Sequence, residues 1–196
     1  MPKGTQLDAT GRERVRRRIY HEATALFRTR GVTGTSMREL AERCGVGTST
    51  IYDYFPGKGD IVAEFFKAES IEVMKLAASL DGEEMSSRER VVRFLTGLGE
   101  FWGEDWPLVR AISRDAHNLG RHALARALEV REKVRDYLAG AVASMAEEGC
   151  RLCVTPGLGA ALLLEMFRGL LGHAEGENVE VVAREALSLF LDGAKA

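Results

Sequence analysis

Strong charge of either sign is missing from this sequence: 27 Lys plus Arg stand against 29 Asp plus Glu, a formal balance of −2. Nothing in that total points to a polyanionic partner. Cysteine is scarce too, and three residues are too few and odd in number for a disulfide framework, which agrees with a reducing compartment. Long apolar runs are lacking. Stretches such as Ala160 to Leu164 fall far short of the roughly 20 residues that a membrane-spanning helix needs, and no apolar run follows the basic start as a signal peptide requires. A soluble, cytoplasmic protein without a membrane partner is expected. Strand signals are nearly absent, with no sustained alternation of β-branched residues and no Asn-Gly or Asp-Gly hairpin turn between apolar runs. The fold class is therefore all-α, and 45% apolar residues over 196 positions supply a packed core and exclude disorder.

The neutral total hides a division. Residues 1–58 hold 11 basic and 6 acidic residues, a balance of +5, whereas residues 59–196 carry 16 and 23, a balance of −7. Two domains follow, 1–58 and 59–196, of which only the first suits a polyanion. Residues 1 to 9 lack periodicity and read as a mobile arm. The first helix places Val15, Ile19, Ala23, Leu26 and Phe27 on one face and ends at Gly31. Ser36 with Glu39 three positions on predicts a capping box at the start of a short second helix, in which each side chain takes a free backbone N–H. That helix carries Leu40 and Ala41 inward and stops at Gly45. A third, about Thr48 to Tyr54, puts Ile51 and Phe55 inward. Two short helices joined by Cys44-Gly45-Val46-Gly47 form a helix-turn-helix.

The first turn of the third helix, Gly47-Thr48-Ser49-Thr50, is small and hydroxylated. Its backbone can come close to a surface while hydroxyls donate to phosphates or base edges, as a recognition helix does when it enters a major groove N-terminus first. Tyr52, Tyr54 and Lys58 follow, with phenols and an ammonium suited to phosphate oxygens. Each taken alone is more often a core edge, a cap or a solvated side chain; together they are far more specific for DNA contact. Arginines 12, 14, 16, 17 and 18 can add to the grip.

From Arg17 to Phe66 the chain resembles the TetR family of bacterial transcriptional regulators. The resemblance rests on ATALFRTRG at the end of the first helix, on Thr35-Ser36-Met37 leading into RELAERCGV, and on Ile51-Tyr52-x-Tyr54-Phe55-x-x-Lys58-x-x-Ile61. It implies a homodimeric repressor whose paired recognition helices occupy successive major grooves of a palindromic double-stranded operator, released when a small-molecule effector binds the C-terminal domain. Position by position, it implies phosphate contacts by Thr35 and Ser36 with Met37 and Arg38 beside them. Thr48, Ser49 and Tyr52 then face the groove, and Tyr54 and Lys58 anchor the far backbone. Asp53 is expected to face away from the duplex, because phosphate would repel it.

Beyond Lys58, helices are expected at about Asp60–Leu80 (capped by Asp60), Arg88–Trp102, from Trp106, at Ala123–Glu148, from Thr155-Pro156, and around Val179–Phe190. The last two carry more apolar surface than one buried stripe needs. A four-helix dimer interface through Leu158, Leu162, Phe167, Leu170, Val179, Val182, Ala186 and Phe190 is therefore expected. Side chains that combine aromatic surface with a polar handle, Phe101, Trp102, Trp106, Arg110, His117, Met166 and Phe167, are the candidate ligand pocket for an effector of unknown class. Cys150-x-x-Cys153 has redox or zinc spacing but lacks a second pair and follows a helix rather than starting one. His117 and His122 stand five apart, on different faces of any continuous helix. No metal site and no cofactor are expected, and no nucleophile elbow, phosphate-binding glycine loop or HExxH suggests an enzyme. The alternatives to a ligand-released repressor are a DNA-binding dimer without a small-molecule ligand and a thiol or metal sensor working through Cys150 and Cys153.

Overall fold

The computed structural model describes residues 9–115, 118–174 and 176–194. Helices occupy Ala9–Arg30 (α1), Met37–Cys44 (α2), Thr48–Tyr54 (α3), Lys58–Asp81 (α4), Ser87–Trp102 (α5), Trp106–Asp115 (α6), Gly120–Glu147 (α7), Pro156–Leu171 (α8) and Val179–Ala194 (α9), with a 3₁₀ turn at Gly103–Asp105. The expected arm lies almost wholly outside the described residues, and so does His117.

Local chemistry sets these boundaries. Gly31, at φ 75°, ends α1 and donates its N–H to the Phe27 carbonyl at 3.0 Å. Ser36 Oγ accepts from the Glu39 N–H at 3.1 Å and caps α2. The other half of the expected capping box does not form, because the Glu39 carboxylate accepts from Arg30 Nη1 at 2.6 Å instead. At the far end of α2, Gly45 donates to the Glu42 carbonyl and Val46 to the Ala41 carbonyl, a Schellman closure that only a residue tolerating φ 63° permits at Gly45. Thr155 Oγ1 accepts from the Leu158 N–H, with Pro156 at the first position of α8. α4 begins two residues earlier than expected, and Asp60 does not cap it: its Oδ1 lies 3.2 Å from His122 Nδ1.

Compactness divides the chain elsewhere than charge does. One unit comprises the residues up to Phe65 together with Pro107–Ala125, and the other comprises Phe66–Trp106 and Arg126 onward. In the first unit Ile19, Leu26, Phe27, Leu40, Ile51, Phe55 and Ile61 are buried, so α1, α2, α3 and the first turns of α4 share one core. In the second, α9 packs against α5 and α8. Phe94, Leu95, Leu98, Trp102, Leu138, Leu163, Phe167, Val182, Ala186 and Phe190 fill that core. Gly99 makes the close approach possible: a Cβ there would stand 2.4 Å from Val179 Cγ1 and 2.9 Å from Phe167 Cζ.

Candidate nucleic-acid interface

The helix-turn-helix presents the first turn of α3 outward. Gly47 caps it without a side-chain hydrogen bond, and Thr48 and Ser49 are exposed, as is Tyr52 at 49%. Ile51, on the opposite side of the same short helix, is fully buried. One apolar anchor therefore holds a polar face toward solvent, which is the arrangement groove recognition needs. Arg38 is exposed on α2 and donates to Glu42 one turn on at 3.1 Å, a surface pair that a phosphate can readily displace.

Several other residues expected at DNA are used internally. Thr35 is buried and donates its hydroxyl to the Gly31 carbonyl at 3.0 Å, which closes the α1–α2 loop. Met37 is buried in the core. Ser36 stays exposed, but its Oγ is committed to the α2 cap. Lys58 donates from Nζ to the carbonyls of Val32 and Thr35, each at 2.6 Å, and burial lowers its pKa. It is a tie across the loop rather than a free ammonium. Tyr54 is half-buried, and its carbonyl accepts from Arg16 Nη1 at 3.2 Å. Arg16 also meets Glu64 at 2.8 Å and lies over the Phe55 ring, so it belongs to the fold, whereas Arg12, Arg14, Arg17 and Arg18 are exposed on α1.

A residue that sequence reasoning passed over completes the loop. Asp115, the last residue of α6, accepts on Oδ2 from the N–H groups of Val32 and Thr33, both at 3.0 Å, and from Thr33 Oγ1 at 3.2 Å. The Thr33 amide, first among these donors, holds the carboxyl below the usual carboxylate range. No local signal could have found it, since more than 80 positions separate the partners.

In the second unit, three of the seven residues considered for a ligand pocket come together. Trp102 and Trp106 have ring centroids 5.4 Å apart, and Trp102 stacks on Phe167 at 6.3 Å. Phe101 and Met166 are half-buried nearby in sequence, and Arg110 is exposed and belongs to the other unit. The cluster contains a carboxylate that the sequence did not announce. Glu69 of α4 is buried, accepts from Trp102 Nε1 at 2.7 Å, and has its pKa raised by burial. Arg168 lies over the Trp102 ring at 5.2 Å, and Trp106 Nε1 is buried without a partner.

The dimer residues divide. Leu158 and Leu162, one turn apart on α8, are 52% and 44% exposed. Phe167, Val182, Ala186 and Phe190, in contrast, are buried in the chain's own core and so are not offered to a second copy, while Leu170 and Val179 are half-buried. Leu189, among the apolar residues of the last helix, and Val181, not expected there, are exposed at 48% and 54% two turns apart on α9. Cys153 is exposed and Cys150 half-buried, with Arg88 Nη2 at 3.9 Å from its sulfur. Among the described residues no group of three or more His, Cys, Asp or Glu is placed to hold a metal ion, and no helix is long and apolar enough to cross a membrane.

Comparison with known proteins adds a family likeness. Residues 19–65 match the family described as bacterial regulatory proteins, tetR family. The chain is 28% identical over 102 residues to the probable HTH-type transcriptional regulator YttP of Bacillus subtilis (strain 168), a match covering 50% of this chain and 48% of that one. The match thus spans about half the length of that curated relative. Among solved structures, PfmR of Thermus thermophilus, a TetR family transcriptional regulator, superposes with a TM-score of 0.75 at 21% identity, over 91% of this chain and 100% of its own. AibR, solved in complex with isovaleryl coenzyme A and operator DNA, does so with a TM-score of 0.72 at 20% identity, over 89% and 97%. These structural likenesses show the fold.

Proposed function

We propose that the chain is a member of the tetR family of bacterial regulatory proteins, which its residues 19–65 match, and that it is a homodimeric transcriptional repressor that leaves a palindromic operator when a small molecule binds its second unit. The observation that carries the DNA half is the exposed, hydroxylated first turn of α3 above a fully buried Ile51. Thr48, Ser49 and Tyr52 reach base edges and nearby phosphates, with Arg38 and the outward arginines of α1 on the backbone. Two-fold symmetry follows from the other exposed surface. Leucines 158, 162 and 189 and Val181 are exposed on α8 and α9, and a second copy covers them with the same residues, an isologous contact.

The effector is held at the aromatic cluster of the second unit. Glu69, Trp102, Trp106 and Phe167 combine ring surface with polar groups, the mixture that small-molecule sites use. AibR, which shares the fold, was solved with a coenzyme A thioester, so such thioesters are the first compounds to try.

The test begins with selection. The full-length protein is offered a random duplex library, and enrichment of an inverted repeat supports the operator reading, whereas enrichment of no sequence removes it. Sedimentation then gives the oligomeric state; a monomer at micromolar concentration removes the dimer. Both tryptophans of the chain lie in the aromatic cluster, so intrinsic tryptophan emission reports on it alone. A coenzyme A thioester that changes that emission and releases the selected duplex supports the effector site.

A further inference from the structure

Six residues, Gly31–Ser36, connect α1 to the helix-turn-helix, and opposite charges hold this loop from two sides. Lys58, at the start of α4, takes the carbonyls of Val32 and Thr35, while Asp115, at the end of α6, takes the amides of Val32 and Thr33 and the Thr33 hydroxyl. Residue 32 is thus gripped at both its N–H and its C=O. Inside the loop, Thr35 Oγ1 closes onto the Gly31 carbonyl. Asp115 is only 7% exposed, so its carboxylate is committed to these donors rather than to solvent.

The segment around Asp115 braces the same unit at further points. Gly31 is in the left-handed region, and a Cβ there would come within 3.2 Å of Arg114 Nη2 and 3.3 Å of Asp115 Oδ2. A Cβ on Gly59 would come within 2.1 Å of the Leu119 carbonyl, so the first turn of α4 lies directly on the stretch that follows α6. His122 at the start of α7 meets Asp60 at 3.2 Å. None of these bracing groups lies within the three helices that would read DNA.

We propose that Asp115 is a positioning residue for operator recognition: by holding the amides of Val32 and Thr33 against the pull of Lys58 on the carbonyls, it fixes the angle at which the chain enters α2. The Schellman turn at Gly45 carries that angle to α3. Sequence-specific contact needs the first turn of α3 at one depth and orientation in the groove, whereas phosphate attraction tolerates small errors in both. Loss of the clamp therefore lowers specific binding and spares nonspecific binding. The inference rests on the DNA-binding reading above.

The test uses full-length Asp115→Ala and Asp115→Asn with the duplex selected by the wild-type protein, poly(dI-dC) as nonspecific competitor, and amide hydrogen exchange over residues 31–36. Asp115→Ala is expected to bind the selected duplex about tenfold more weakly, the worth of one well-placed base contact. Poly(dI-dC) affinity, its salt dependence, helix content and oligomeric state stay as in the wild type, while the Val32 and Thr33 amides exchange faster. Asp115→Asn keeps one side-chain oxygen as acceptor and recovers part of the loss. An unchanged ratio of specific to nonspecific affinity overturns the proposal, and so does an equal fall on both DNAs. Should Asp115→Ala fail to fold, the ratio measured with Asp115→Asn decides in the same way. If the wild type selects no duplex at all, the regulator reading falls and the role of the clamp with it; variants that match a selective wild type overturn the clamp alone.

Discussion

Two surfaces of this molecule are exposed to a similar degree and have opposite chemistry. On α3, Thr48, Ser49 and Tyr52 put hydroxyls into water; on α8 and α9, Leu158, Leu162, Val181 and Leu189 put isobutyl and isopropyl groups there. A hydroxyl in water is already satisfied and exchanges its partner for a phosphate or base edge at little cost. An apolar patch loses free energy for as long as it is wet, at roughly 25 cal/mol per Å², and gains it back against another apolar surface. The contrast teaches that exposure alone does not define a site: the chemistry of the first surface suits a polar, hydrated partner and that of the second suits one that displaces its water.

The comparison can be broken from either side. The largest effect is expected from Leu162→Glu, which places a carboxylate in the apolar face. Sedimentation should show monomer, and because two reading heads then no longer bind together, affinity for the selected duplex should fall by about a hundredfold. A dimer that survives would move the interface elsewhere. Tyr52→Ala comes next, with about a tenfold loss on the selected duplex and an unaltered dimer; loss of fold instead would show that the ring supports the core. Lys58→Ala sharpens the contrast between surface and internal charge. Since its ammonium holds the carbonyls of Val32 and Thr35, thermal unfolding should reveal a loss of about 1 kcal/mol, with the salt slope of nonspecific binding unchanged. A slope lower by about one unit would return Lys58 to the phosphate contacts. The smallest effect is expected for Arg38→Ala, a few-fold weakening on every duplex with that same change of about one unit in slope, checked by titration at several salt concentrations.

Lys58 illustrates where sequence reasoning stopped. The motif from Ile51 to Ile61 marked it correctly as special and pointed it at phosphate, but two carbonyls of a loop 23 and 26 residues away claim it first. Thr35 and Met37 share that fate, being drawn inward by the turn they help build. On α8 and α9 the difficulty was different. Apolar residues cover α8 so broadly that periodicity cannot tell which stripe faces α9 and which faces solvent. Hence the pattern assigns Phe167, Val182, Ala186 and Phe190 to a dimer face when they fill the core, and it does not single out Val181, which stays exposed.

What the sequence determined by itself lies within a few residues along the chain: helices read from periodicity, the Ser36 and Thr155 caps, the left-handed stops at Gly31 and Gly45, and the hydroxylated turn of α3 on a buried Ile51. Such features depend on backbone hydrogen bonds and dihedral preferences between near neighbours, so residue type and spacing suffice to reveal them. Only the tertiary structure decided how Lys58 and Asp115 share the α1–α2 loop, how Glu69 comes to lie buried against Trp102, and which apolar stripe stays wet. Each of these depends on groups brought together from 23 to 83 positions apart, or on which neighbour covers a face, and a one-dimensional pattern holds neither distance nor neighbour.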